Sequence, residues 1–167
     1  MKFFSYFAYG SNMSLLRLTA RTPGAVRHPG HASLTDHELR FHKIGRDGSA
    51  KCDACFSKGG TMYGVLYKVP VAEKHLLDQA EGLGNGYTLK EVRIALQPEE
   101  EQVALTYCAT HIDTELDPFD WYKQHVLRGA REASLPRHYI RSIEAVRAIT
   151  DPDSRRASAE RAIYEPG

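Results

Sequence analysis

Between Met62 and Val69 the chain alternates, with Tyr63, Val65, Tyr67 and Val69 on one side and Met62, Gly64, Leu66 and Lys68 on the other. A period of two sends successive side chains to opposite faces of a pleated strand, so the first set predicts one apolar face that has to be covered. An isolated strand is not stable in water, and this chain must therefore build a sheet. Partners are available. Phe3 to Ala8 is aromatic-rich and cut off by Gly10, while Glu38 to Ile44 carries Leu39, Phe41 and Ile44. Cys52 to Ser57 is separated from Met62 by Gly59-Gly60, which predicts a turn there. Thr88 to Leu96 and Val103 to Ala109 flank the acidic stretch Pro98-Glu99-Glu100-Glu101, read as a solvated hairpin tip.

Helix signals are placed differently. Ser14 precedes Leu15, Leu16 and Leu18 as the N-cap of a short helix ending before Pro23. Pro70 opens a helix over Val71 to Glu81, which Gly82, Gly84 and Gly86 bring to an end. From Pro118 onward the pattern is helical, over Phe119 to Ala133 and Pro136 to Ile149. About six extended segments lie mainly before these two helices, which predicts an α+β fold with a mixed sheet or barrel flanked by helices. A doubly wound nucleotide-binding fold is excluded, because strands and helices do not alternate regularly and no glycine-rich phosphate loop follows a strand. Residues 1–150 are expected to form one domain, and 151–167 a polar tail read as a loose, partly disordered helix.

Charge narrows the partners. Twenty-two Lys plus Arg against 21 Asp plus Glu leave a net charge of +1, so no strong field draws nucleic acid or an anionic membrane. The expected partner is a small molecule or a second copy of the chain, as a monomer or homodimer. Phe3 to Ala8 is too short and lacks the cleavage pattern of a signal peptide, and no apolar stretch approaches the roughly 18 residues of a membrane span. Three cysteines, Cys52, Cys55 and Cys108, are an odd, sparse set that fits a reducing cytoplasm.

The turn after the first strand, within Tyr6-Phe7-Ala8-Tyr9-Gly10-Ser11-Asn12-Met13, is small and polar. Such a turn can aim several backbone N–H groups at a carboxylate or oxyanion, or simply lead a strand into a capped helix.

Phe7-Ala8-Tyr9-Gly10-Ser11-Asn12 resembles the YGSN signature of the gamma-glutamylcyclotransferase family, which includes AIG2-like proteins. Met62-Tyr63-Gly64-Val65-Leu66-Tyr67 resembles that family's W/Y-G-x-x-Y/W strand, and Asp78-Gln79-Ala80-Glu81-Gly82 with Gly86-Tyr87 resembles its D-x-x-E-G segment and the nearby tyrosine. Tyr122, Gly129-Ala130, Leu135-Pro136 and Tyr139 resemble its closing helical region. The resemblance implies a mixed β-barrel and a cofactor-free acyl transfer: the α-amino group of a gamma-glutamyl compound attacks its own gamma-carbonyl, giving 5-oxoproline and a free amine, a step of glutathione metabolism. Holding both reactants in one molecule can supply up to about 7–11 kcal/mol of the barrier, so no serine or cysteine nucleophile is needed. Glu81 matches the family's catalytic glutamate, implied to take a proton from the ammonium and return one to the departing amine. Tyr6, Phe7, Ala8, Tyr9, Gly10, Ser11 and Asn12 match the substrate-binding segment, and Tyr87, Tyr107 and Tyr122 the pocket tyrosines. Which amine leaves is open, and a non-catalytic binding protein on the same fold is the alternative.

Other signals carry less. Cys52-Asp53-Ala54-Cys55 has C-x-x-C spacing, but alternation points the two sulfurs apart and nothing completes a zinc or redox motif, so no metal site is expected. His28 and His31 straddle a turn. Lys43, Arg46 and Lys51 are read as solvated loop charge, and the arginines of the tail lack the interleaved aromatics of an RNA-binding surface.

Overall fold

In the computed structural model, which describes residues 1–96 and 99–167, the aromatic run at the start forms β1 (Phe3–Ala8). Its partners are β4 (Ala50–Pro70), antiparallel with Tyr6 opposite Tyr67, and β6 (Glu100–Ala109), parallel with Tyr6 opposite Leu105. The short β2 (Val26–Arg27) adds to β4. With β3 (Ala32–Ile44) and β5 (Tyr87–Leu96) the sheet runs β1-β6-β5-β3-β4-β2, and the β1–β4 pairing closes its first five strands into a barrel. Closure leaves both faces of β4 covered. Val65, Tyr67 and Val69 are buried, and so are Met62 and Leu66, where one apolar face was expected.

Gly59-Gly60 is not a turn between two strands. β4 runs through it, and residues 57–60 bulge opposite Asp36, where the register shifts between Thr35 and His37. Asp36 and Gly59 both have positive φ, 55° and 80°, and the Gly59 N–H donates to Asp36 Oδ1 at 2.8 Å. The two glycines supply a bend in a long strand rather than its end. At the β5–β6 hairpin, Glu99 has φ 64° and Glu100 and Glu101 begin β6, while Pro98 of the expected tip lies outside the described residues.

Five α-helices pack around the barrel among the described residues. α1 (Leu15–Arg21) starts where expected, with Ser14 Oγ accepting from the Arg17 N–H. α2 (Lys74–Glu81) follows a 3-10 turn at Val71–Glu73 and stops at Gly82, whose φ of 70° suits a residue without Cβ. α3 (Asp120–Glu132) lies across the turn at Ser11–Met13, and a Cβ on Gly129 would run into the backbone of Met13 and Ser14. α4 (Arg137–Glu144) ends before the expected Ile149, which instead bridges to Phe119. Downstream of it, buried Asp151 accepts from Trp121 Nε1 at 2.8 Å and from Arg156 at 2.6 and 2.7 Å. α5 (Ser154–Ala162), N-capped by Asp153, is held to the body of the protein by these contacts and by Glu160. No helix among the described residues is long and apolar enough to cross a membrane.

Candidate active site

β1 ends at Ala8, Tyr9-Gly10 follow, and the chain then makes a single 3-10 turn at Ser11–Met13 before Ser14 caps α1. The leading N–H groups of such a turn have no acceptor within it and are available to a ligand. Gly10 is required by closeness: a Cβ there would stand 2.9 Å from Cys52 Cβ. Asn12 is the hub. Its Nδ2 donates to Glu81 Oε1 at 2.5 Å and to the Tyr6 hydroxyl at 3.1 Å, and its Oδ1 accepts from Arg21 Nη1 at 2.9 Å. Arg21 also lies 3.3 Å from Glu81 Oε1, a carboxylate only 14% exposed. Glu81 comes from the last residue of α2, so the glycine that stops that helix also fixes where its carboxylate stands.

Tyr6, Tyr9, Gly10, Ser11, Asn12, Glu81, Tyr87, Tyr107 and Tyr122 line one narrow slot. Phe7 and Ala8 do not. Both are fully buried in the core, and the Phe7 carbonyl accepts from Thr106 Oγ1. Alternation along β1 sends Phe7 to the side opposite Tyr6, whereas Ala8 shares the side of Tyr6 and its methyl group is covered in the core. The tyrosines are tied down: Tyr9 donates to the Tyr107 carbonyl, Tyr107 to Asp78 Oδ1 at 2.5 Å, and Tyr87 to the Cys52 carbonyl at 2.5 Å. Tyr122 accepts from the Cys52 N–H at 2.9 Å. Burial pushes all five slot phenols well above the ordinary tyrosine value, so they act as neutral hydrogen-bonding groups.

Sequence reasoning missed Cys52, which lines the slot, and the two arginines of α1. Burial pushes the Cys52 thiol far up, so it contributes shape and not a thiolate. Arg17 Nε donates to Ser11 Oγ at 3.0 Å and its Nη1 to Glu160 Oε2 at 2.6 Å. The spacing of 17 and 21, four apart on a helix that directly follows the turn, was the available signal.

The slot opens through Ser11, Glu81, Tyr87 and Tyr122 into a basin of about 390 Å³. Lys43, Arg46 and Lys51, read as loop charge, stand in its wall with Arg17, Arg21 and Arg156. Arg17, Arg21, Lys51 and Arg156 each pair with a carboxylate. Lys43 does not, among the described residues. It is 5% exposed, with Nζ 4.5 Å over the Tyr87 ring, and burial pulls its pKa down. Arg46 Nη2 donates to the Gln79 carbonyl at 3.1 Å, and among the described residues it pairs with no carboxylate.

Residues 61–143 match the model of the AIG2-like family. Human gamma-glutamylcyclotransferase is 32% identical over 149 residues, which cover 86% of this chain and 78% of that protein. Among solved structures, one described as a gamma-glutamyl cyclotransferase superposes with a TM-score of 0.83 at 28% identity, covering 89% of this chain and 90% of its own. A human protein described as uncharacterized loc79017 gives 0.86 at 28% identity, covering 99% of this chain and 100% of its own.

Proposed function

On the premise that this chain belongs to the gamma-glutamylcyclotransferase family, we propose that its slot holds a gamma-glutamyl group and that Glu81 moves the protons of the cyclisation. The chain is an enzyme of that class, converting a gamma-glutamyl compound into 5-oxoproline and a free amine. The reaction moves two protons from one nitrogen to another. The substrate α-ammonium loses one to become a nucleophile, its nitrogen bonds the gamma-carbonyl carbon, and it loses a second as the ring becomes a lactam. When the original C–N bond breaks, the departing nitrogen gains both. A single carboxylate beside both nitrogens can carry each proton in turn, as base and then as acid.

The contact that carries this reading is the one between Asn12 Nδ2 and Glu81 Oε1, which joins the glycine turn to the proton carrier across 69 residues of sequence. In the proposed arrangement, N–H groups of the Gly10–Asn12 turn stabilise the oxyanion that grows on the gamma-carbonyl, a role in which one donor contributes about 2.7–4 kcal/mol. Arg21 and Asn12 keep the Glu81 carboxylate facing the slot, and the neutral tyrosines shape the space around the glutamyl chain.

The basin supports a choice of leaving amine. A buried ammonium without a carboxylate partner is costly, and Lys43 next to Arg46 favours a leaving group that brings its own carboxylate. A gamma-glutamyl amino acid fits that requirement, and a gamma-glutamyl alkylamine does not. We place the reaction in the breakdown of glutathione-related compounds in the cytoplasm, where the three free thiols would stay reduced. The test is to incubate the protein with gamma-glutamyl amino acids and amines and measure 5-oxoproline, with Glu81→Gln alongside. No release from any compound, or equal activity in the variant, refutes the reading.

A further inference from the structure

His42 on β3 and Asp53 and Cys55 on β4 converge on the face of the ribbon opposite the slot. Alternation along β4 separates the two functions of this segment: Cys52 turns into the slot, while Asp53 and Cys55 turn away from it. His42 sits at a register shift between Phe41 and Lys43 that brings its ring over the same spot. One atom from each residue meets the others there. His42 Nε2 is 2.8 Å from Asp53 Oδ2, Cys55 Sγ is 3.3 Å from that nitrogen, and Sγ is 3.2 Å from that oxygen.

Two readings compete with metal binding. In a nucleophilic triad the carboxylate stands behind the imidazole, away from the thiol; here one Asp53 oxygen contacts both, so the relay is absent. A simple hydrogen-bonded trio also accounts for the distances; the metal reading rests on the types brought together, a thiol, an imidazole and a carboxylate that each offer one ligand atom within 4.8 Å of the others. The other Asp53 oxygen is already held by the Ala109 N–H at 2.7 Å, which fixes the carboxylate in the way a metal ligand is held from behind. A tetrahedral zinc ion, with bonds of about 2.0–2.3 Å to N, O and S, spaces its ligand atoms roughly 3.3–3.7 Å apart. The trio needs to spread by less than about 1 Å to reach that geometry. Cys55 is only half-buried, so a fourth position can open to water.

We propose that His42, Asp53 and Cys55 bind one Zn²⁺ ion, with water as the fourth ligand, as a clamp joining β3 and β4 to the end of β6 behind the slot. The donor set of thiolate, imidazole and carboxylate suits zinc, and is wrong for calcium or magnesium, which take oxygen. The site stands apart from the cyclisation chemistry, and the proposal does not depend on that reading.

The test uses the whole chain, stripped with chelator and dialysed. Titration with Zn²⁺ should saturate at one ion per chain. Co²⁺ at the same site should give the visible bands of four-coordinate cobalt and a sulfur-to-cobalt charge-transfer band. Cys55→Ser should abolish that band, and His42→Ala should weaken Zn²⁺ binding by more than the roughly 100-fold that loss of an outer-shell partner can cost. Cys108→Ser should leave both unchanged. Uptake that does not saturate at one ion, a cobalt spectrum without the sulfur band, or binding unaltered in folded Cys55→Ser and His42→Ala overturns the site. The wild-type spectrum decides the matter even if a variant fails to fold.

Discussion

Through Arg17, Glu160 links α5 to Ser11 of the turn after β1, and replacing it with glutamine should cost a calculable part of the stability. Its carboxylate accepts from Arg17 Nη1 at 2.6 Å and lies 3.0 Å from Nε2 of His125, a ring whose pKa burial pulls down. Burial works to raise the Glu160 carboxyl, but the hydrogen bond from His125 and the charge of Arg17 outweigh it and hold the group at about 2, against an ordinary 4.5. That gap corresponds to about 3.4 kcal/mol if fully realised. Water reaches a side chain that is 27% exposed, and screening brings the expected figure to about 1.5 kcal/mol. Because folding depresses this group, its contribution is fully present above pH 4.5 and is lost as pH falls through about 2. For a chain of 167 residues, Glu160→Gln should therefore lower Tm by about 3–6 °C at pH 7. Thermal melts of both proteins between pH 7 and pH 2 follow the gap between them, and groups they share cancel. The reasoning fails if the two proteins melt together at neutral pH, or if the gap stays constant through the acid range.

Gly129→Ala gains about 1 kcal/mol of helix propensity. It also forces a Cβ into the backbone of Met13 and Ser14, and overpacking of that kind costs about 1–3 kcal/mol. Urea denaturation should show a net loss of stability, and a gain would mean that α3 is not pressed against the turn. Tyr122→Phe leaves the buried Cys52 N–H without its acceptor and should destabilise by about 1–3 kcal/mol in the same assay, with a rise in KM; unchanged stability would exclude that hydrogen bond. Lys43→Met should lower kcat/KM at least about 10-fold for a gamma-glutamyl amino acid, the equivalent of one lost charged contact, and leave a gamma-glutamyl alkylamine unaffected. Equal losses on both substrates would remove Lys43 from leaving-group recognition.

What could be read in the sequence was local. Phe3 to Ala8, the cap at Ser14 and the stop at Gly82 are each determined by near neighbours, and the structure puts elements there. Gly59-Gly60 misled because two glycines serve equally for a turn and for a bulge. Only the pairing with Asp36, 23 residues earlier, distinguishes them. The other buried face of β4 follows from barrel closure, which no alternation pattern encodes. Glu81 and the turn, which meet in the slot, each sit in a recognisable motif. Cys52 and Lys43 do not: Cys52 lies in a segment read as a strand and for its sulfur spacing, neither of which marks it for the slot, and Lys43 is indistinguishable from any loop lysine until β3 carries it over Tyr87. Glu160 gave no signal at all, since its meaning depends on an arginine 143 residues away.

β1 leaves the ribosome well ahead of both strands that flank it. Its pairing with β4 waits for residues up to 70 and its pairing with β6 for residues beyond 100, and until β6 is made the aromatic segment Phe3-Phe4-Ser5-Tyr6-Phe7-Ala8 keeps one hydrogen-bonding edge open. Contacts this distant in sequence form slowly, and an uncovered apolar strand is a template for pairing with another chain. The turn proposed to bind substrate rides on the end of that strand, so on that reading a molecule without the β1–β6 pairing is catalytically silent while it is prone to aggregate. Yield during synthesis thus hinges on how soon β6 reaches that edge once residues beyond 100 have been made.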